Sequence, residues 1–179
     1  MMAAGKRKQW GEVLALLKML VADGGAGADL KTYNIALGGL SKSGRWKEAQ
    51  RVLGQMQRKG VAPDTYSFNH AIAACGKAGR WRQALDLLGE MQEEGSMLCP
   101  DLFSYNGAIN ALAKDGRWKR ALSLMDEMRG RGLTPDVISY TSAMCACDRA
   151  GEWQAALNLM AHMHGENVMP NIVTYGTAI

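Results

Sequence analysis

Residues 60–70, GVAPDTYSFNH, decide how the chain is read. Gly60 and Pro63 end one helix: Gly accepts the left-handed conformation of a helix terminus, and Pro cannot continue the ladder. Asp64 opens the next helix as an acceptor for first-turn N–H groups. Asn69 then falls about one turn inside, where Asn is less favourable than Ala by several tenths of a kcal/mol. The same anomaly recurs, because DLKTYN ends at Asn34 and DLFSYN at Asn106.

The recurrence is periodic. Trp falls at 10, 46, 81, 118 and 153, so the intervals are 36, 35, 37 and 35 residues. All four Pro, at 63, 100, 135 and 170, keep the same beat. So do Tyr33, Phe68, Tyr105, Tyr140 and Tyr175, and so do Met56, Met91, Met128 and Met163. A fixed period of this length is the signature of a repeat architecture.

Each unit contains two amphipathic helices. In the first, Tyr33, Leu37 and Leu40 recur at i, i+4 and i+7. The segments KSGR, KAGR, KDGR and RAGE break the chain at Gly44, Gly79, Gly116 and Gly151. In the second, Trp46, Ala49, Leu53 and Met56 form one stripe, with Ala permitting close approach and Trp filling the seam between repeats. This helix ends near Gly60, Gly95 and Gly132, and Asn167 stands there in the last full unit.

The units run over 30–64, 65–101, 102–136 and 137–171. Residues 1–29 hold a second helix without its first, and 172–179 open a fifth unit. Two extra residues in the second unit fit most simply in EEGSMLCPD. The predicted fold is all-α, an α-solenoid of stacked antiparallel helix pairs forming a single domain. Neither end has a polar cap, so further repeats or end-to-end self-association are expected.

Composition restricts the chemistry. The chain is 47% hydrophobic, enough to bury a core, and its net charge of +4 permits an anionic partner. No apolar run approaches a membrane span of about 18 residues. Cys75, Cys99, Cys145 and Cys147 fit neither a zinc site nor a disulfide framework and read as packing residues. His70, His162 and His164 have no carboxylate or Cys constellation near them and read as surface residues. No metal, cofactor, small-molecule substrate or catalytic group is expected, and the chain is read as a non-enzyme.

DTYSFNHAIAACGKAGRWRQALDLLGEM and VISYTSAM…AGEWQAALNLMAHM…VMPN resemble the pentatricopeptide repeat family in period, Y-N opening, K-x-G-R loop and closing P-D. The W-x-x-L-G-x-x-Y opening of the tetratricopeptide repeat is absent. The resemblance implies sequence-specific binding of single-stranded RNA in mitochondria or chloroplasts, one nucleotide per repeat, serving RNA processing, stability or translation. It implies base choice by the residue after the Tyr together with the residue closing the repeat. Carried over, Asn34 with Asp64, Asn69 with Asp101 and Asn106 with Asp136 would read uridine. Thr141 with Asn171 would read adenosine, giving 5′-UUUA-3′. An Asn amide both donates and accepts while a carboxylate only accepts, which suits reading a base edge.

The resemblance also implies an aliphatic wedge at the second residue of each unit. Ile138 and Val173 comply; Tyr66 and Phe103 are aromatic and would stack on bases instead, and Lys31 is charged. Lys42, Lys77, Lys114 and Arg149 are equivalent across the four units and form a stripe suited to phosphates. The plainer reading of these cations is complementing helix dipoles, and that of the closing Asp residues is capping. Arg45, Arg80 and Arg117, matched by Glu152, read as a solvated face. A rival function is a protein- or peptide-binding solenoid using the same groove.

Overall fold

The computed structural model describes residue 11 and residues 29–93 and 97–177. Trp10, Gly95 and the helix expected within 1–29 lie outside the described residues, as does part of the segment expected to hold the two extra residues. The described residues form nine helices: α1 (Leu30–Ser43), α2 (Trp46–Arg58), α3 (Thr65–Ala78), α4 (Trp81–Gln92), α5 (Leu102–Lys114), α6 (Trp118–Gly130), α7 (Val137–Ala150), α8 (Trp153–Gly165) and α9 (Ile172–Thr177).

The boundaries arise from capping chemistry. Asp29, Asp64, Asp101 and Asp136 each accept a hydrogen bond from the backbone N–H three residues on, satisfying a donor that the helix leaves free. Asn171 does the same through Thr174 N–H at 2.9 Å. Gly44, Gly79, Gly116 and Gly151 turn each helix pair with φ between 65 and 73°. Gly60, Gly132 and Asn167 close second helices at positive φ, 72, 77 and 56° respectively, so Asn167 does substitute for glycine there.

First helices α1, α3, α5, α7 and α9 stack directly on one another to make one layer. Second helices form the other layer, and α2, α4 and α6 each lie across their own first helix and the next. Tyr33, Leu37, Leu40, Ile72, Ile109, Leu112 and Met144 of the first helices are buried in one core together with Ala49, Ala84, Ala121 and Ala156 of the second helices. Met56, Met91, Met128 and Met163 are buried at equivalent positions. Between α3 and α5 the approach is close enough that a Cβ on Gly76 would sit 2.6 Å from the Gly107 carbonyl oxygen.

Polar side chains join the second helices through the buried tyrosines. Gln92 donates to the Tyr105 hydroxyl at 3.0 Å, and that hydroxyl donates to Glu127 at 2.8 Å. Arg129 donates to Tyr140 at 2.8 Å, which donates to Glu166 at 2.7 Å. Burial, then the adjacent carboxylate, pushes both phenols up to about 12. Phe68 occupies the equivalent place between the first two units without a hydroxyl.

Three sequence readings change. Arg80 stacks on Trp46 at 5.4 Å, and Arg117 stacks on Trp81 at 4.5 Å, each reaching back one repeat. These arginines therefore clamp the seams, where a solvated face was expected, and Glu152 leaves Trp118 without that partner. Trp153 is 64% exposed and fills no seam. His70 is half-buried against Gly38, and burial pushes its pKa down; His162 and His164 are exposed as expected. Cys75 and Cys147 are buried free thiols pushed up to about 11 by desolvation, the state of inert packing groups.

The two kinds of glycine should respond oppositely to alanine. Gly76→Ala is expected to destabilise the fold by about 1–3 kcal/mol, because backbone stands in the way. Gly89, with nothing within 4 Å of its Cβ position, should gain about 0.5–1 kcal/mol as Gly89→Ala. Urea unfolding followed by circular dichroism measures both.

Candidate functional site

The Asn residues that sit uneasily in their first turns lie at the junctions between stacked first helices. There each meets the cap of the following helix. Asn34 Nδ2 donates to both carboxylate oxygens of Asp64, at 3.1 and 3.3 Å. Ser67 Oγ in turn lies 2.6 Å from Asn34 Oδ1 and 2.8 Å from Asp64 Oδ1. The same three-residue unit recurs. Asn69 Nδ2 lies 3.0 Å from Asp101, with Ser104 Oγ 2.5 Å from Asn69 Oδ1. Asn106 Nδ2 lies 3.1 Å from Asp136, with Ser139 Oγ 2.6 Å from Asn106 Oδ1.

Each Asp thus holds two jobs at once. It caps its own helix through the Ser backbone N–H and binds the Asn of the preceding one. Ser67, Ser104, Asn106, Ser139 and Thr174, all buried, belong to these junctions. The Asn and Asp residues were paired from the sequence without geometry, and the Ser residues were missed altogether. Their signal was present in the recurrence of Ser67, Ser104 and Ser139, but the capping-box role alone accounts for Ser at that place.

The fourth junction is built differently. Thr141 Oγ1 donates to the Val137 carbonyl at 2.6 Å and lies 3.1 Å from Thr174 Oγ1. Thr174 Oγ1 bonds Asn171 Oδ1 at 3.0 Å. Thr141 and Asn171 are therefore linked through Thr174, where the other three pairs touch directly.

Beside this polar ladder runs an apolar one. Tyr66, Phe103, Ile138 and Val173 occupy the same first-turn position and are 70, 74, 59 and 54% exposed. Large apolar side chains so exposed at one periodic position form a continuous edge, the kind of surface that marks contact with a partner. Lys31, at this position in the first unit, is exposed too.

The cations lie at the other end of the same helices, roughly 12 Å along the axis from the Asn residues. Lys77 Nζ donates to the Lys42 carbonyl at 2.6 Å, Lys114 Nζ to the Lys77 carbonyl at 2.5 Å, and Arg149 Nη1 to the Lys114 carbonyl at 3.2 Å. Each thus satisfies the open C-terminus of the preceding first helix. Lys42, Lys77, Lys114 and Arg149 are all exposed, and an ammonium bonded once keeps two further donors. The first-helix layer consequently carries carboxylates along one edge and cations along the other.

At Asp64 burial and hydrogen bonding act in opposite directions. Burial pushes its pKa up, but hydrogen bonds from the Ser67 backbone, the Ser67 hydroxyl and Asn34 outweigh it, so the net shift is downward. Groups of three or more His, Cys, Asp or Glu able to hold a metal are absent among the described residues.

A solenoid of helix pairs with one polar unit and one exposed apolar group at each junction is a modular scaffold suited to an extended ligand. The PPR repeat family model matches residues 28–70, 100–149 and 135–179, and the pentatricopeptide repeat domain model matches 51–115. The chain belongs to the pentatricopeptide repeat family. Its structure is similar to that of the pentatricopeptide repeat protein PPR10 in complex with an 18-nucleotide psaJ RNA element, with a TM-score of 0.82 and 30% identity over 99% of this chain. The chain spans 26% of that protein. A structure of PPR10 from maize gives a TM-score of 0.70 at 30% identity, covering 94% of this chain and 24% of that one. The repeat domain of Arabidopsis thaliana protein-only RNase P 1 in complex with tRNA shares the fold, with a TM-score of 0.68 at 22% identity, covering 79% of this chain and 74% of that one. No curated protein matches the chain.

The downward shift at Asp64 makes a pH prediction. A depressed carboxyl stabilises the folded state above its unfolded pKa of about 3.9, and that contribution is lost as pH falls through the folded value. Unfolding free energies of the native chain and of Asp64→Asn should therefore differ at pH 6 and converge as the pH drops below about 4. A difference independent of pH would remove the carboxylate from the account.

Proposed function

We propose that this chain binds single-stranded RNA through the first-helix layer, one nucleotide per repeat, with 5′-UUUA-3′ as its core. The observation that carries the reading is the Asn–Asp–Ser unit repeated in near-identical geometry at three junctions beside an exposed apolar ladder. A repeating unit spaced by stacked helices suits a repeating polymer, and the exposed Tyr66, Phe103, Ile138 and Val173 suit stacking or wedging between unstacked bases. The opposed charge along the two edges orients such a strand, with phosphates toward Lys42, Lys77, Lys114 and Arg149 and base edges toward the carboxylates. PPR10, at 30% identity, is solved with an RNA element, which supports the same class of partner for this chain.

In this reading Asn34, Asn69 and Asn106, each with its closing Asp, select uridine, and Thr141 with Asn171 selects adenosine. The chain acts as a non-catalytic binding module on an organellar transcript, mitochondrial or plastid, in RNA processing, stability or translation. Four bases are too few to specify one site in a transcriptome, so the module works beside further repeats or partners.

Fluorescence anisotropy tests the code. RNA containing UUUA should bind best, with UUUU and a C/G-rich control weaker. Joint substitution Thr141→Asn and Asn171→Asp should move preference to UUUU. The logarithm of the affinity should fall with the logarithm of salt at a slope of roughly −3, as four phosphate contacts on a single strand require. Lys77→Gln should flatten that slope by about 0.7 without changing base preference. Salt-independent binding of a peptide in place of RNA would assign the groove to protein recognition.

A further inference from the structure

An amide can be read in two directions, and something must fix which one it shows. A side-chain amide that rotates by half a turn exchanges donor and acceptor. Nδ2–H followed by Oδ1 along a base edge meets O4 and N3–H of uracil. The reverse order meets N4–H and N3 of cytosine. An Asn free to turn over would therefore accept both pyrimidines.

At three junctions the amide is held from both sides. The Asp carboxylate, an acceptor only, lies against Nδ2 of Asn34, Asn69 and Asn106. The Ser hydroxyl lies against Oδ1 of the same residues, at 2.6, 2.5 and 2.6 Å. That hydroxyl has one proton, and it accepts the backbone N–H of the Asp at 3.3, 3.1 and 3.1 Å. Two oxygens lie within reach of its proton, and the Asn Oδ1 is nearer than the Asp Oδ1 in all three units, the latter standing at 2.8, 3.1 and 2.9 Å. Turning the amide over would put Oδ1 against a carboxylate, acceptor facing acceptor, and would cost the Ser hydroxyl the nearest oxygen for its proton. Held in place, the Asn keeps one N–H and one Oδ1 lone pair for a ligand.

We propose that Ser67, Ser104 and Ser139 are positioning residues for base choice, each fixing the reading amide of the preceding repeat so that uridine is preferred over cytidine. The unit that reads one base therefore spans two repeats and uses three side chains. The inference rests on the RNA-binding reading above. All three Ser are fully buried, so they act through the Asn and touch no ligand. Thr174 occupies the same register with a hydroxyl but faces Thr141, which has no amide to orient.

Ser104 offers the sharpest test, since its unit reads the second nucleotide while Asn106 reads the third. Affinities are measured by anisotropy for RNAs containing UUUA, UCUA and UUCA. In Ser104→Ala the preference for U over C at the second position should fall about fivefold, equivalent to about 1 kcal/mol for one lost hydrogen bond. The preference at the third position should be kept, which no general loss of folding would allow. Ser104→Thr restores the hydroxyl and should restore the second-position preference. The NMR order parameter of the Asn69 side-chain amide should drop in Ser104→Ala and recover in Ser104→Thr, with no RNA present. A second-position preference unchanged in Ser104→Ala, or an equal drop at both positions, overturns the inference while leaving RNA reading intact. Equal affinity of the unsubstituted chain for all three RNAs overturns the base-reading function and this inference with it.

Discussion

First helices stack directly on first helices, and everything else at the candidate site depends on that contact. The approach requires glycine where α3 meets α5, because the Gly107 carbonyl occupies the space that a Gly76 side chain would need. It requires a repeat close to 35 residues, so that each cap arrives beside the first turn of its predecessor. A slip of one residue turns a helix by about 100° and would carry Asn34 away from Asp64. The junction units are thus readouts of register as much as contributors to it.

A buried polar unit of this kind is costly if any member lacks a partner, and stabilising when all are satisfied. That asymmetry gives the junctions a specifying role that apolar packing alone would lack. Leucine against leucine tolerates small displacements, whereas a hydroxyl held by an amide, a carboxylate and a backbone N–H tolerates almost none. The Trp seams are held more loosely, by a guanidinium over a ring face, an interaction with broad geometry. Fine positioning is therefore concentrated at the edge of the first layer where the Asn residues lie.

Much of this was legible in the sequence because a repeat writes each rule several times. The Pro and Gly beats mark helix ends, and Gly44, Gly60 and Asn167 adopt positive φ as their positions demand. The identity of Tyr33, Leu37 and Leu40 as core came from helical spacing and holds. Contacts between repeats were harder to read, since they join residues about 35 apart whose pairing depends on helix direction. Arg80 therefore looked like solvated charge until Trp46 was found beneath it, and Ser104 looked like half of a local capping box. Lys77 was read as dipole complement or phosphate ligand, and its bond to the Lys42 carbonyl belongs to the first kind but crosses to the neighbouring helix.

The fourth junction shows the effect of replacing the amide. Thr141 holds its own proton on the Val137 carbonyl, an acceptor that already belongs to the helical ladder. Releasing the hydroxyl toward a ligand would leave that carbonyl satisfied by its helix bond, so reorientation costs little. The Asn units behave in the opposite way, because moving the amide breaks its bond to the carboxylate and takes from a buried serine hydroxyl its nearest acceptor. On the RNA reading, recognition at the first three junctions is therefore preorganised and should discriminate sharply. The fourth must rearrange a rotor on binding, and its preference for one base should be correspondingly shallower.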